Sequence, residues 1–242
     1  MNLLLWVALP YVAVASLIAG TVWRYRYDRF GWTTRSSELY ERRLLRVASP
    51  LFHYGLIFVI LGHVIGLLIP EGWTKAAGVS ESAYHAGSLI GGTVAGVAAA
   101  AGLAMLIYRR RATGPVFSAT TRNDKLMYLL LGGSLLLGLA VTVVENGLLG
   151  PYDYRRTVAP WFRDIFLLRP DPDLMTGIPV LYKLHVLLGL VLTALFPFTR
   201  LIHAFAAPWR YAFRPYIVYR SRDGAGLATR DPARGWEPLT RR

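Results

Sequence analysis

The sequence predicts an all-α integral membrane protein, a bundle of five transmembrane helices with its N-terminus outside and its C-terminus in the cytoplasm. Three observations carry this. More than half of the 242 residues, 54%, are hydrophobic, and the mean hydropathy of +0.38 is above that of an ordinary soluble domain. Five stretches are long and apolar enough to cross about 30 Å of hydrocarbon, which takes roughly 20 helical residues. The net charge of +13 comes from Lys and Arg gathered between those stretches rather than on an amphipathic face, so it signals topology before nucleic-acid binding.

The first span covers about residues 3–23, with no basic residue ahead of it and RYRYDR directly behind it. That is the reverse of a signal peptide's polarity, and the run is read as a retained span. The others are expected at about 47–69, 86–108, 126–149 and 180–206. The first loop holds Arg24, Arg26, Arg29, Arg35, Arg42, Arg43 and Arg46; the second only Lys75; the third Arg109, Arg110, Arg111, Arg122 and Lys125. After the fifth span come Arg210, Arg214, Arg220 and Arg222. Positive charge therefore alternates from side to side, and the positive-inside rule places the first loop, third loop and C-terminus in the cytoplasm. The fourth loop, about 146–179, balances its charges and contains prolines, and is expected to hold a short surface helix or to fold against the outer face. Residues 1–220 form the predicted membrane domain, and 221–242 a basic cytoplasmic tail without apolar period.

Cysteine is absent, which excludes disulfides, thiolate-bound zinc, cysteine-ligated iron–sulfur clusters and covalent c-type haem within the chain. Four of the five histidines fall in apolar stretches: His53 and His63 in span two, His185 and His203 in span five. Ionisable groups at membrane depth are costly and mark functional sites, although one such histidine by itself is as often a hydrogen-bonded helix contact. Spans two and five run in opposite directions, so His53 matches His203 in depth near the cytoplasmic side and His63 matches His185 near the outer side. At 1.5 Å per residue the first two are about 15 Å apart and the last two about 27 Å. The mismatch of about 12 Å has to be taken up by tilt, by a kink at Pro197 and by oblique ligands. Two facing imidazoles in a dry bundle suit a bis-histidine b-type haem, and two pairs suit two haems stacked across the membrane. Gly55, Gly62, Gly66 and Gly189 leave room for a flat macrocycle. Arg200 could pair with a haem propionate or snorkel to the interface, and Lys183 beside His185 has the same two readings. A bis-histidine zinc site would be half empty. A histidine proton relay in a transporter is the alternative of another class, and a haem-free structural anchor a third.

The stretches SPLFHYGLIFVILGHVIG (49–66), LHVLLGLVLTALFPFTRLIHAFAAP (184–208) and WRYRYDRFGWTTRSSE (23–38) resemble the gamma subunit of membrane-bound respiratory nitrate reductase, the di-haem cytochrome b anchor of that complex. The resemblance covers roughly residues 1–220. It implies two haem b groups, with His53 and His203, and His63 and His185, as axial ligands of the iron. It also implies a quinol (menaquinol or ubiquinol) oxidised near the outer haem, electrons passing to an iron–sulfur beta subunit, and a molybdenum-containing alpha subunit where nitrate is reduced. The chain is then the quinol-oxidising subunit of a quinol:nitrate oxidoreductase in a prokaryotic cytoplasmic membrane, with membrane lipid and no nucleic acid among its partners. Cytochrome b subunits of a hydrogenase, a formate dehydrogenase or a heterodisulfide-reductase-like complex are close alternatives. In the best-studied branch a lysine near the start of span three helps bind quinol, whereas here the region reads SESAYHAGSLIGG (80–92), and Lys75 lies too far ahead. His85 is the expected replacement, lining the quinol site with Gly62 and His63, because an imidazole can take a quinol proton near working pH. Glu81 and Tyr84 are further candidates.

Overall fold

The computed structural model describes residues 1–32, 37–206 and 213. Arg35, Arg210, Arg214, Arg220, Arg222 and the tail expected from residue 221 lie outside the described residues. Among the described residues, Met1–Ala206 form one compact unit.

Five helices are long and apolar enough to cross a membrane: Leu4–Tyr27, Leu45–Leu68, Glu81–Ala112, Arg122–Leu148 and Val180–Phe198. No strand occurs among the described residues. The spans are inside-out relative to a soluble bundle. Ile57, Phe58, Ile60, Ile90, Val94, Leu129 and Leu136 are all more than half exposed, which forms the apolar belt that hydrocarbon covers. Small residues take the inner positions. A Cβ on Gly102 would stand 2.4 Å from the Phe52 backbone nitrogen, and one on Gly55 would stand 2.5 Å from the Ala99 nitrogen, so spans two and three meet backbone to backbone.

Local chemistry sets the span ends. Ser80 caps span three, its hydroxyl accepting from the Ala83 amide at 3.2 Å, so that helix starts at Glu81 rather than near 86. Thr121 and Asp124 form a reciprocal capping box at the start of span four. Arg109, Arg110 and Arg111, expected in a loop, form the last turn of span three, where cations complement the helix dipole. Arg109 is only 2% exposed. It donates to Ser37 Oγ and the Ser37 carbonyl, both at 2.8 Å, and pairs with Glu41, tying the first loop to span three. The Leu44 amide, and Arg109 with it, hold the Glu41 carboxyl below its ordinary range.

The largest departure from expectation is in span five, which ends as a membrane helix at Phe198 and not at 206. Pro197 has no amide hydrogen and its ring clashes with the preceding turn, so Phe196–Phe198 tighten to a 3₁₀ turn, Thr199 is extended at φ −112°, ψ 179°, and a second 3₁₀ segment runs Arg200–Ala206. The freed carbonyls find donors elsewhere, as an apolar medium demands. Ser16 of span one donates to the Ala194 carbonyl at 2.7 Å, and Asn123 of span four donates to the Phe198 carbonyl at 2.5 Å. Gly20 makes the room: a Cβ there would lie 2.9 Å from both Pro197 and Phe198.

The fourth loop folds onto its end of the bundle, as expected, around the helix Val158–Phe166. Val158, Trp161, Phe162 and Ile165 recur at helical spacing and face inward. Trp161 is 1% exposed and its indole N–H donates to the Trp6 carbonyl at 2.8 Å. At the same end Glu71 pairs with Lys75 and, at 3.4 Å, with Arg156, joining the helix Glu71–Ala76 to the loop. Lys75 first, then Arg156, depress the Glu71 carboxyl from its ordinary 4.5 to about 2. A depressed carboxylate contributes stability that is fully present above pH 4.5 and lost as pH falls toward about 2. Glu71→Gln should therefore melt below the parent at pH 6 and converge with it near pH 2, followed by tryptophan fluorescence. A difference independent of pH would refute the linkage.

Candidate functional site

Two histidine pairs face each other between span two and the chain of span five, with His53 and His63 exposed and His185 and His203 half-buried. His53 and His63 stand ten residues apart on one uninterrupted stretch of span two. His185 lies in the helical part of span five, whereas His203 lies beyond the break, in the 3₁₀ segment Arg200–Ala206. His203 is thus not on the same α-helix as His185, and the two share no helical face. The turn at Thr199 redirects the chain instead, which lets eighteen residues lie against ten. Ring centroids of His53 and His203 are 6.1 Å apart with planes at 73°, and those of His63 and His185 are 5.9 Å apart at 40°.

The ring orientations follow from local hydrogen bonds. His53 Nδ1 meets the Ser49 carbonyl at 2.7 Å, His63 Nδ1 meets the Val59 carbonyl at 2.8 Å, and His203 Nδ1 meets the Arg200 carbonyl. A carbonyl only accepts, so Nδ1 carries the proton in each, and the Nε2 lone pair is left for a metal. His185 differs: its Nδ1 is buried without a partner.

Arg200 is paired with Asp124, with Nη2 to Oδ2 at 3.0 Å and Nε to Oδ1. Asp124 is thereby both the cap of span four and the anchor for the segment that presents His203. Lys183 donates to the Thr176 carbonyl at 2.7 Å. The four glycines divide. Gly55 is filled by the Ala99 backbone, and a Cβ on Gly66 would stand 2.6 Å from the Tyr154 hydroxyl, so neither faces a void. Nothing lies within 4 Å of a Cβ at Gly62 or Gly189.

The geometry fits a haem. Two iron–nitrogen bonds of about 2.0 Å, with each ring centre about 1.1 Å further out, require centroids about 6.2 Å apart, and both pairs lie within 0.3 Å of that value. Open space at Gly62, beside His63, and at Gly189, one turn along from His185, suits a flat ring. No cluster of three or more potential metal ligands occurs among the described residues, so a tetrahedral zinc centre has no shell to form.

His85 lies in the second turn of span three, half-buried, with no hydrogen bond from its ring; no hydrogen bond or ring contact joins it to His63 among the described residues. Glu81 is exposed in the first turn. Beside His85, Tyr84 has partners that sequence reasoning missed: its hydroxyl lies 3.1 Å from the Tyr154 hydroxyl, and the Arg155 guanidinium stacks 3.9 Å over its ring. Burial, and the Tyr84 hydroxyl, push the Tyr154 hydroxyl pKa well above its ordinary value, so it stays neutral. These contacts span 70 residues or more, and only the fold brings them together.

Five apolar helices, two of them carrying histidines that face one another in pairs, define a multi-pass membrane protein. The chain belongs to the nitrate reductase gamma subunit family, whose model matches residues 2–222. It is 45% identical over 219 residues to the nitrate reductase gamma chain of Bacillus subtilis, covering 90% of this chain and 98% of that one. It is 29% identical over 223 residues to the respiratory nitrate reductase 2 gamma chain of Escherichia coli, covering 92% and 98%. Over 237 residues it is 56% identical to the nitrate reductase-like protein NarX of Mycobacterium tuberculosis H37Rv, covering 98% of this chain and 36% of NarX. The chain thus spans about a third of that relative's length. Family and spans together make it a multi-pass protein of a prokaryotic membrane.

Proposed function

We propose that the chain is the cytochrome b subunit of a respiratory quinol:nitrate oxidoreductase, holding two b haems through His53 with His203 and His63 with His185. The observation that carries this reading is the 6.1 Å and 5.9 Å separation of two histidine pairs in a chain of the gamma subunit family. When bound, haem supplies one-electron chemistry between the two faces of the membrane. The protein's part is ligation, orientation and exclusion of water. The Nδ1 hydrogen bonds fix three rings and leave their Nε2 free for iron, the Asp124–Arg200 pair fixes the His203 segment, and the apolar belt keeps water away.

In this reading the arginine-rich ends of spans one and three face the cytoplasm and dock an iron–sulfur beta subunit, which delivers electrons to a molybdenum-containing alpha subunit where nitrate is reduced. The opposite end, under the folded fourth loop, takes menaquinol or ubiquinol. Oxidation of a quinol releases two electrons and two protons. In this reading His85 accepts a proton, and Gly62 leaves space beside His63. His85→Leu should lower quinol oxidation at least about tenfold while leaving two haems per chain, measured by stopped-flow haem reduction. Unchanged turnover would remove His85 from the site.

The primary test is the reduced-minus-oxidised visible spectrum of the purified protein with a haem-to-chain ratio. Two low-spin b haems are expected, and colourless, fully folded protein would overturn the proposal.

A further inference from the structure

The four rings are not held alike. His53, His63 and His203 each give their Nδ1 proton to a carbonyl three or four residues earlier in their own helix. His185 makes no such bond, and its Nδ1 is buried without a partner. Buried polar groups without partners are rare, and a ligand histidine ordinarily donates its second N–H to a fixed acceptor. The acceptor must then come from the element packed on the ring, which is span four. The Cε1 edge of His185 lies against Gly138, where a Cβ would stand 3.0 Å away. One helical turn earlier on the same face is Ser134, which is 9% exposed, and whose hydroxyl oxygen is likewise buried with no partner. The Ser134 backbone carbonyl is a competing acceptor for the ring N–H, and Ser134→Ala leaves it in place. Two unpartnered groups on neighbouring helices, one a donor and one able to accept, complete each other once the Ser134 side chain turns its oxygen toward the ring.

We propose that Ser134 is the positioning residue for His185: its hydroxyl accepts the Nδ1 proton, fixing the tautomer that presents Nε2 toward His63, while Gly138 admits the ring. The inference rests on the haem reading above and adds a residue on a third helix to that centre. An N–H donated to an acceptor makes the imidazole more basic and stabilises ferric over ferrous iron. Removing the acceptor therefore raises the midpoint potential of the haem bound by His63 and His185, and leaves the other unmoved.

The test is a potentiometric titration of the two-haem protein in its membrane complex for parent, Ser134→Ala and Ser134→Thr. Ala removes only the hydroxyl and suits a helix; Thr retains it. One wave should shift upward in Ser134→Ala, with a matching change in one low-spin electron paramagnetic resonance signal, and both waves should stay in place in Ser134→Thr. Two unmoved waves in Ser134→Ala, or equal shifts in Ala and Thr, would overturn the role of Ser134 and leave the haem assignment standing. Absence of haem from the parent protein would instead overturn the underlying reading.

Discussion

Replacing His203 with Ala is expected to leave one haem per chain instead of two, and to lower quinol-dependent nitrate reduction by the assembled complex by more than about a hundredfold. His203 is held by local bonds and is only half-buried, so the change removes the proposed ligand without opening the core. Span five reaches Phe198 before the segment begins, its broken end secured by Ser16 and Asn123, and the pair formed by His63 and His185 is untouched. Nitrate reduction from an artificial donor that reduces the soluble subunits directly should stay at the parent rate. Haem content by pyridine haemochrome, together with the two activities, checks all three statements. Retention of two haems would show that His203 is not a ligand.

Gly102→Leu is expected to abolish accumulation of folded protein, and Gly102→Ala to destabilise it by roughly 3 kcal/mol. The Cβ alone would stand 2.4 Å from the Phe52 nitrogen and 2.7 Å from its Cα. These are backbone atoms of a packed helix and cannot step aside as a side chain could, so spans two and three must separate. Phe52 adjoins His53, so Gly102→Ala should also loosen the haem held by His53 before the one held by His63. Gly132→Ala is the control, because its Cβ would meet Leu103 at an ordinary 3.7 Å and should change little. Melting in detergent monitored by haem absorbance distinguishes the two, and equal melting of both variants would contradict the close approach.

The parts of this protein legible in its sequence are those the bilayer imposes on any chain. Each span needs about 20 apolar residues with every backbone group satisfied inside the helix, so all five were readable from hydropathy and their ends were wrong by only a few residues where caps such as Ser80 intervene. The four histidines were readable for the same reason: an ionisable ring at membrane depth has few roles, and antiparallel spans pair them by depth. Pro197 was visible as a kink but not as the end of the helix, because whether a proline bends or breaks a span depends on donors for the freed carbonyls, here Ser16 and Asn123 from two other helices.

Tertiary structure alone decided the partners. A terminal arginine reads the same in sequence whether it reaches for solvent, pairs with Asp124 as Arg200 does across 76 residues, or is buried against Ser37 as Arg109 is across 72. Glycines that equally suit a flat cofactor turned out to serve different ends, Gly55 against a neighbouring backbone and Gly189 against open space. Ser134 and Gly138, small residues four apart, signalled a tight approach on one helix face, but nothing local could say that His185 approaches there. Composition and periodicity set which residues must be inside the membrane, and the packing of one helix on another set what each of them meets.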